Sequence, residues 1–303
     1  MKALRAALFA PGSKERVMSK AFESGADGVI FDLEDSVPLA AKVEARVLVA
    51  QAIGRAAATA GGPLVTVRVN AVATGMLEHD LHAIVRPGLD AIFLPKAEHV
   101  EEIEKTAAVL DELEAEQKIA GGTIEIIPML ESALGVYRCF DLLRASPRVA
   151  TSCIGSAQDG DLQTDLGCAW SIDGPELLYA RSKVLLDTRA AGKAYPLDGV
   201  FSDLSDDEGF LRDSRLSARL GFVGRTVIHP KQIEPARRAY AVSREDIEYY
   251  ERVVKEFEAV EKTGAVAAIT VDGKLVDYAM YSRAKTVLEL AKLDPSTSPF
   301  VRP

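Results

Sequence analysis

The sequence predicts a (β/α)₈ barrel with a C-terminal helical and hairpin appendage, and three observations support this fold class. Short runs rich in β-branched and aromatic residues alternate with segments of helical periodicity. The alternation repeats eight times over about 230 residues, which is typical of a barrel of parallel strands. No G-x-G-x-x-G follows the first run, which weakens the alternative, a doubly wound open sheet.

Eight runs have the composition of strands, and helical segments separate them. The predicted strands are residues 5–12, 27–34, 63–70, 90–96, 123–131, 148–156, 195–203 and 224–230. Between them, apolar residues recur three and four positions apart, as in amphipathic helices. The clearest helical segments are KERVMSKAFESG, VEEIEKTAAVLDELEAEQK and PELLYARSKVLLDTRAAG. The last of these begins with Pro175, a residue favoured at a helix N terminus.

The chain continues beyond these eight units. After Ser243, the stretch REDIEYYERVVKEFEAVEKTG predicts a long amphipathic helix. The next stretch, AVAAITVDGKLVDYAMY, predicts a hairpin that turns at Asp272-Gly273, and SRAKTVLELAKL predicts a final helix. We therefore predict a catalytic barrel over residues 1–242 and a lid or oligomerisation segment over residues 243–303.

Charge and composition limit the partners of the protein. The chain has 36 Lys and Arg against 45 Asp and Glu, a formal net charge of −9, and no run of five basic residues. A nucleic acid or an anionic membrane is therefore not expected as a partner, whereas small anionic ligands need only a local pocket of cations. The chain also lacks 18 consecutive apolar residues, so we expect no transmembrane helix.

The cysteines and the first residues indicate a cytoplasmic protein. Cys139, Cys153 and Cys168 show no C-x-x-C spacing and are odd in number, so we expect reduced thiols. The apolar start is interrupted by Arg5 and ends at Pro11, which is too short for a signal peptide.

Polar side chains stand at the ends of all eight predicted strands, where the chemistry of such barrels is found. These residues are Pro11-Gly12-Ser13, Asp32, Glu34, Asp35, Arg68, Asn70, Lys96, Glu131, Asp159, Asp161, Asp203 and His229. Any one of them could simply cap a helix or lie in a surface loop. Five or more carboxylates beside one Arg and one Lys indicate a pocket that needs a divalent cation. The candidate ligands are oxygen donors, and the histidines show no H-E-x-x-H pattern, so we expect Mg²⁺.

Nine ordered segments resemble the HpcH/HpaI aldolase and citrate lyase β-subunit-like family, and within it most resemble the malyl-CoA and citramalyl-CoA lyases. The segments are LFAPGSKERVMSKA, DGVIFDLEDSVPLAAKVEAR, VRVN, IFLPKAE, IIPMLESALG, the acidic loop that ends in DLGC, DGVFSDLSDDEGF, LGFVGRTVIHPKQI and GKLVDYAM. The resemblance covers nearly the whole chain. It implies a Mg²⁺-dependent carbon–carbon lyase that cleaves or forms a β-hydroxyacyl-CoA such as L-malyl-CoA, β-methylmalyl-CoA or citramalyl-CoA. The products would be an acyl-CoA and a 2-oxo acid, glyoxylate or pyruvate.

The resemblance also implies roles for single residues at the metal. Glu131 would ligate the metal together with an aspartate of the loop GSAQDGDLQTDLG. Asp161 keeps the family spacing to Asp-Leu-Gly and is favoured, whereas Asp159 lies nearer the strand end. Arg68 would face the oxygen that gains charge. Glu34 would hold metal-bound waters or Lys and Arg partners.

Further roles concern the CoA thioester and proton transfer. Phe9, Ser13, Lys14 and Lys20 would contact CoA, and we expect both lysines around the N terminus of the first helix. Lys14 stands where Arg is common and Arg225 where Lys is common, and each would offer its charge to phosphate with altered geometry.

Asp277 would be the acid/base, delivered by a neighbouring subunit of a homo-oligomer, a trimer or a hexamer. Without the resemblance, capping of the final helix is the simpler interpretation of Asp277. Two other functions stay open: a citrate lyase β subunit that acts on an acyl-carrier-protein thioester, and a CoA-independent class II aldolase. The appendage with its Asp277 is expected to distinguish the free-standing lyases from both.

Overall fold

Eight parallel strands close into a barrel in the computed structural model, which describes residues 2–59, 61–262, 264 and 268–292. The strands pair in chain order, and the last pairs with the first. They are β1 Ala6–Pro11, β2 Gly28–Asp32, β3 Leu64–Arg68, β4 Ala91–Leu94, β5 Glu125–Leu130, β6 Cys153–Ile154, β7 Leu197–Asp198 and β8 Gly224–Val227. Each lies inside a predicted run, so the barrel prediction is confirmed and the open-sheet alternative is wrong.

Helices follow the strands and surround the barrel. Those of the barrel are α1 Glu15–Phe22, α2 Lys42–Ala57, α3 Leu77–Ile84, α4 Val100–Glu116, α5 Ala133–Tyr137, α6 Cys139–Arg144, α7 Asp161–Leu166, α8 Pro175–Ala190, α9 Asp207–Leu220 and α10 Ile233–Tyr240. The three helical segments predicted most clearly correspond to α1, α4 and α8. Among the described residues, we find no helix with both the length and the apolar character needed to cross a bilayer.

Alternation along the strands separates two apolar layers. In β2, Val29 and Phe31 belong to the layer between sheet and helices, whereas Ile30 belongs to the cluster that fills the barrel. Phe93 and Ile127 join Ile30 in that inner cluster. Since these side chains fill the inside of the barrel, ligands bind at its C-terminal end, where the strands finish.

Residues from Ala241 on form a second compact unit, which we describe by itself. Its elements are α11 Arg244–Glu261, β9 Ala268–Val271, β10 Lys274–Asp277 and α12 Tyr278–Lys292. The Ser243 hydroxyl caps α11 by accepting the Asp246 N–H at 3.0 Å, and the antiparallel hairpin turns at Asp272-Gly273 with positive φ at both residues. The predicted helix, hairpin and helix are therefore confirmed in order and type, although α12 already begins at Tyr278, inside the stretch predicted as hairpin. Residues 265–267 and 293 of the predicted elements lie outside the described residues.

Candidate active site and metal centre

One cavity of about 330 Å³ opens where the barrel strands end. It is lined by Phe9, Pro11, Asp32, Asp35, Ser36, Arg68, Met129, Glu131, Ile154, Gly155, Ala157, Gly160, Asp161, Gly199, Val200, Thr226 and Ile228. A larger, more open depression of about 780 Å³ has walls from the outer helices α9 and α10. We assign the site to the smaller cavity, because its walls carry the carboxylates and the cation predicted at the strand ends.

Arg68 is a fixed cation in this cavity. It ends β3, directly opposite Asp32 of β2 in the strand register. Its Nε donates to Asp32 Oδ1 and its Nη2 to Asp32 Oδ2, both at 2.7 Å. Its guanidinium also lies over the Phe9 ring, 4.9 Å from the centroid. Two parallel hydrogen bonds and an aromatic face fix its orientation, as expected for a residue that must present charge to a substrate.

Asp32 holds Arg68 and shapes the turn after β2. It also accepts the backbone N–H of Glu34 at 2.9 Å and that of Ser36 at 3.1 Å. Burial alone would raise the pKa of Asp32, but its hydrogen bonds with Arg68 and the positive charge there outweigh burial, so the pKa is lowered. Asp32 is therefore an ionised structural partner.

Glu34 is a buried carboxylate that lies between two cations. Its Oε1 is 3.0 Å from Lys96 Nζ, and its Oε2 is 3.0 Å from Arg68 Nη1. The second contact lacks hydrogen-bond geometry, so among the described residues Oε2 has no hydrogen-bond partner. Burial raises the pKa of Glu34, with Arg68 opposing the rise. Glu34 thus has the Lys and Arg partners predicted for it, and its part in holding waters stays a prediction.

Glu131 directly follows β5 and is nearly buried. Its Oε2 accepts the backbone N–H of Lys96 at 3.1 Å. Burial raises the pKa of Glu131 to about 7, and although Arg68 opposes this, the negative charge of Glu34 adds to it. Such a carboxyl is poised to be stabilised as an anion by a nearby cation.

The two aspartates of the loop after β6 differ in position. Asp161 lines the cavity, begins α7 and places Oδ2 3.3 Å from Lys96 Nζ. Asp159 is exposed, has φ +57°, and its N–H donates to Gln163. The geometry therefore favours Asp161 as the second metal carboxylate, and the ligand role of either residue stays a prediction.

The residues present fit a magnesium ion. Within the described ranges, no three His, Cys, Asp or Glu side chains form a ready-made metal cluster. The cavity instead offers two carboxylates, Glu131 and Asp161, and the Glu34 Oε2 nearby lacks a hydrogen-bond donor. Magnesium is commonly held by one or two carboxylates and keeps its waters for substrate to displace. Hard oxygen donors alone are a poor match for zinc.

The predicted CoA contacts lie partly where expected. Phe9 lines the cavity, Ser13 follows β1, and the exposed Lys14 occupies the N-cap position of α1. Lys20 lies in the last turn of this eight-residue helix, so its placement at the N terminus was wrong, because α1 begins only at Glu15. A role of Lys20 in CoA binding therefore rests on the resemblance and not on the helix dipole.

Arg225 corrects another expectation. It is completely buried, donates to the Gly199 carbonyl at 2.8 and 3.1 Å, and pairs with Asp213 at 2.8 Å. It therefore binds the chain itself and offers nothing to a phosphate. Asp213 also pairs with Arg181 at 2.9 Å, and the Arg181 guanidinium is 3.3 Å from Asp198. The sequence analysis did not predict this network. Its signal in the sequence is the presence of charged residues within apolar runs.

Three other strand-end residues have local roles. The Asn70 amide donates to Asp80 at 2.7 Å in the protein interior. Asp203 is exposed and accepts from Ser205, and His229 Nδ1 accepts the Lys231 N–H at 3.1 Å as a cap. Capping and loop structure therefore explain Asp203 and His229.

Asp277 belongs to the second unit. It ends β10, and its Oδ1 accepts the Met280 N–H at 3.0 Å at the start of α12. This is the capping role that the residues alone indicated. Its part in proton transfer stays a prediction.

Comparisons with known proteins show the family of the chain. The sequence model of the HpcH/HpaI aldolase/citrate lyase family matches residues 5–230, which include all eight barrel strands. The chain belongs to this family. A second model, described as a carbon–carbon bond lyase of the TIM-barrel fold, matches residues 182–294. The resemblance stated from the nine segments is thereby confirmed, and the family is one of lyases.

Relatives of both expected classes align with the chain. It is 35% identical to citrate lyase subunit beta of Leuconostoc mesenteroides subsp. cremoris, over 95% of this chain and 93% of that protein. It is 30% identical to the mitochondrial citramalyl-CoA lyase of Mus musculus, over 95% of this chain and 86% of that protein. Each alignment leaves only 5% of this chain uncovered, which is much less than the length of the appendage. Both relatives therefore align with part of the appendage, and its presence does not separate the two classes.

A solved relative supports the ligand predictions. The chain resembles the CitE protein of Mycobacterium tuberculosis, crystallised with magnesium, acetoacetate and coenzyme A, with a TM-score of 0.73 and 28% identity. The match covers 96% of this chain and 98% of that one. The expectation of magnesium and of a CoA ligand is thus met by a member of the same fold and family.

Proposed function

We propose that the protein is a Mg²⁺-dependent lyase that cleaves or forms a β-hydroxyacyl-CoA thioester, with an acyl-CoA and a 2-oxo acid as the products of cleavage. The observation that supports this most is that a single cavity holds the fixed cation Arg68 together with the carboxylates Glu131 and Asp161. Glyoxylate or pyruvate is the 2-oxo acid that the family resemblance implies. The CitE relative adds support through its magnesium, acetoacetate and coenzyme A.

The size of the cavity limits which part of the substrate it holds. Its volume of about 330 Å³ is at the low end of the roughly 300–1,000 Å³ typical of ligand pockets. A cavity of this size can hold the 2-oxo acid part of the substrate and the carbon–carbon bond to be cleaved. The nucleotide part of CoA would then lie outside the cavity, past the end of β1. Ser13 and Lys14 follow the end of β1 and would contact it there, while Phe9, inside β1, would contact the thioester end from the cavity wall.

Glu131 and Asp161 would hold the magnesium, which when bound supplies a Lewis acid for the hydroxyl and carboxylate oxygens of the substrate. The chain supplies the remaining groups. Arg68 presents its guanidinium to the oxygen that gains negative charge, and a preorganised donor of this kind contributes on the order of 3 kcal/mol. Met129, Ile154 and Val200 give the cavity apolar walls that exclude water.

Cleavage then requires a balanced transfer of one proton and one electron pair. The hydroxyl proton passes to solvent water, a carbonyl forms on the 2-oxo acid, and the electron pair of the broken carbon–carbon bond moves to the α-carbon of the acyl-CoA. The carboxyl of Asp277 donates a proton to that carbon, and in the reverse direction the carboxylate removes it. We propose that Asp277 acts in a closed homo-oligomer, a trimer or a hexamer, in which the appendage of one subunit serves the site of another.

A second function is favoured by one specific observation, the 35% identity to a citrate lyase β subunit. In that case, the substrate would be a thioester of an acyl carrier protein, and partner chains would be needed. The chemistry in the cavity would be the same, and only the carrier of the thioester would differ.

Product analysis by mass spectrometry tests the proposal. The purified protein is incubated with Mg²⁺ and malyl-CoA, methylmalyl-CoA or citramalyl-CoA, with the acyl-carrier-protein thioester of citrate, or with free 4-hydroxy-2-oxo acids. An acyl-CoA and a 2-oxo acid from at least one CoA thioester support the proposal. Turnover of the carrier-protein thioester alone supports the second function, and turnover of the free acids alone contradicts both.

A further inference from the structure

Lys96, just after β4, contacts both residues that we propose as metal ligands. Its backbone N–H donates to Glu131 Oε2 at 3.1 Å, and its Nζ is 3.3 Å from Asp161 Oδ2. The residue has φ +52°, a left-handed conformation that is unfavourable for a side chain with a Cβ. The barrel therefore holds a strained residue in contact with both carboxylates.

The ammonium of Lys96 belongs to a larger acidic group. Besides Asp161, it contacts Glu34 Oε1 at 3.0 Å and Asp35 Oδ1 at 3.8 Å. At these distances the ammonium forms ion pairs with all three carboxylates. A positive charge thus lies among the carboxylates that would attract a cation to the cavity.

The contacts of Lys96 differ in strength. Glu34 is buried, whereas the side chain of Asp161 is 51% exposed and that of Lys96 is 39% exposed. An exposed ion pair contributes little and breaks easily, while the pair with buried Glu34 is retained. Asp161 can therefore exchange the ammonium for another cation without loss of the contact between Lys96 and Glu34.

We infer that Lys96 is a positioning residue that competes with the divalent cation for Asp161 and thereby sets the metal affinity of the site. It holds Asp161 at the edge of the cavity through an ion pair that the metal must break. It also lowers the attraction of the acidic group for a second positive ion. This inference rests on the proposed function, because it concerns the same magnesium.

The inference predicts a gain of metal binding from the loss of a charge. Lys96→Met keeps the unbranched shape and most of the length of the side chain, with the same backbone constraint, but removes both the ion pair and the repulsion. Removing one unit charge within several ångströms of a divalent ion should lower Kd roughly tenfold. Damage to the site could only weaken binding, so tighter binding is a result that a merely structural role would not give.

The experiment measures Mn²⁺ binding by electron paramagnetic resonance of free Mn²⁺ at pH 8, without substrate. Lys96→Arg keeps the charge and should bind like the native protein. Lys105→Met is the matched control, because Lys105 forms an exposed ion pair with Glu78 on the outer helices, and its Kd should not change. Circular dichroism confirms that each variant is folded.

The outcomes separate this inference from the proposed function. A Kd for Lys96→Met about tenfold lower than native supports it, and an unchanged or higher Kd overturns it while the magnesium site stands. Glu131→Gln should lose Mn²⁺ binding. If native protein and Glu131→Gln bind alike, or if neither binds, the metal assignment of the proposed function is wrong, and the inference is wrong with it.

Discussion

At the scale of single residues, the acidic stretch after β2 is held together by cations from other strands. Asp32 binds Arg68 of β3, and Glu34 binds Lys96, which follows β4. The sequence could predict the convergence of these charges, because every barrel strand ends at the same face. It could not predict which charges pair. The Asp32–Arg68 contact depends on the register of β2 and β3, and the position of Lys96 depends on a positive φ with no sequence signal.

Arg225 shows where sequence reasoning fails at this scale. A cation in a family motif suggested a phosphate contact, but the residue is buried between Gly199 and Asp213. Those partners lie 26 and 12 positions away in the chain, and only the closed barrel brings them to Arg225. The buried charge is stabilised because its donors reach a carbonyl and a carboxylate.

Gly155 gives a prediction about the metal carboxylate Glu131. A Cβ at this position would lie 2.7 Å from Glu131 Cγ, closer than side-chain atoms approach. Gly155→Ala should therefore move Glu131, lower the affinity for Mn²⁺, and reduce the free energy of unfolding by about 1–3 kcal/mol through overpacking. Metal titration and urea denaturation measure the two effects.

The matched control is Gly54, in the last turn of α2, where a new Cβ would meet no atom within 4 Å. Gly54→Ala should leave metal binding unchanged and stabilise the protein by about 0.5–1 kcal/mol, because alanine is the better helix former. Native Mn²⁺ affinity in Gly155→Ala would show that Glu131 does not depend on this contact.

At the scale of elements, apolar runs located every strand but overestimated the length of all eight, and that of two most of all. The runs 148–156 and 195–203 contain the two-residue strands β6 and β7. An apolar run indicates that residues are buried, but not that they pair with a neighbouring strand. Phe201, for example, is buried in the layer between the barrel and the helices although it lies after the end of β7. The order of the elements could therefore be predicted from the sequence, whereas the ends of β6 and β7 depend on pairing with neighbouring strands, which an apolar run does not record.

The network that joins α8, α9 and β8 gives a prediction of pH dependence. Burial would raise the pKa of Asp213, but Arg225 and Arg181 outweigh burial and lower it. A carboxyl with a lowered folded-state pKa stabilises the protein above its unfolded pKa, about 3.9, and this contribution is lost as pH falls through the folded value. Native protein should therefore lose stability steeply below about pH 4.

Asp213→Asn isolates this contribution. The variant leaves the buried Arg225 guanidinium without its carboxylate and Arg181 with Asp198 as its remaining partner, so it should lose about 3–5 kcal/mol at pH 7. Its stability should also fall less steeply below pH 4, because the titrating group is gone. Urea denaturation at several pH values measures both effects. Equal slopes in native and variant protein would show that Asp213 does not titrate as its environment indicates.

At the scale of the whole molecule, the chain consists of a barrel and a second compact unit that begins at Ala241. The sequence predicts a boundary after residue 242, because the eight-unit rhythm stops there and a helix, hairpin and helix follow. The second unit has its own core, in which Phe257 packs with Val253, Val271 and Val276. We propose that this unit is a lid or an oligomerisation segment. Under this proposal, Asp277 reaches a site only when subunits assemble.

Complementation tests this delivery. Asp277→Asn and Glu131→Gln chains are purified separately, dissociated, mixed and reassembled. Each homo-oligomer should lose activity, by about 10²–10⁴-fold for the acid/base variant, and the mixture should recover a measurable fraction. Recovery requires sites that combine an intact Glu131 from one chain with an intact Asp277 from another. Verified hetero-oligomers without activity would contradict delivery between subunits.

The central claim is that the protein breaks a carbon–carbon bond and protonates the α-carbon of the acyl-CoA. Cleavage of malyl-CoA, methylmalyl-CoA or citramalyl-CoA in D₂O with Mg²⁺ tests this claim most directly, with both products analysed by mass spectrometry. The account predicts a 2-oxo acid and an acyl-CoA that carries one deuterium on its α-carbon. Free CoA with an intact hydroxy acid, or an acyl-CoA without deuterium, would contradict it.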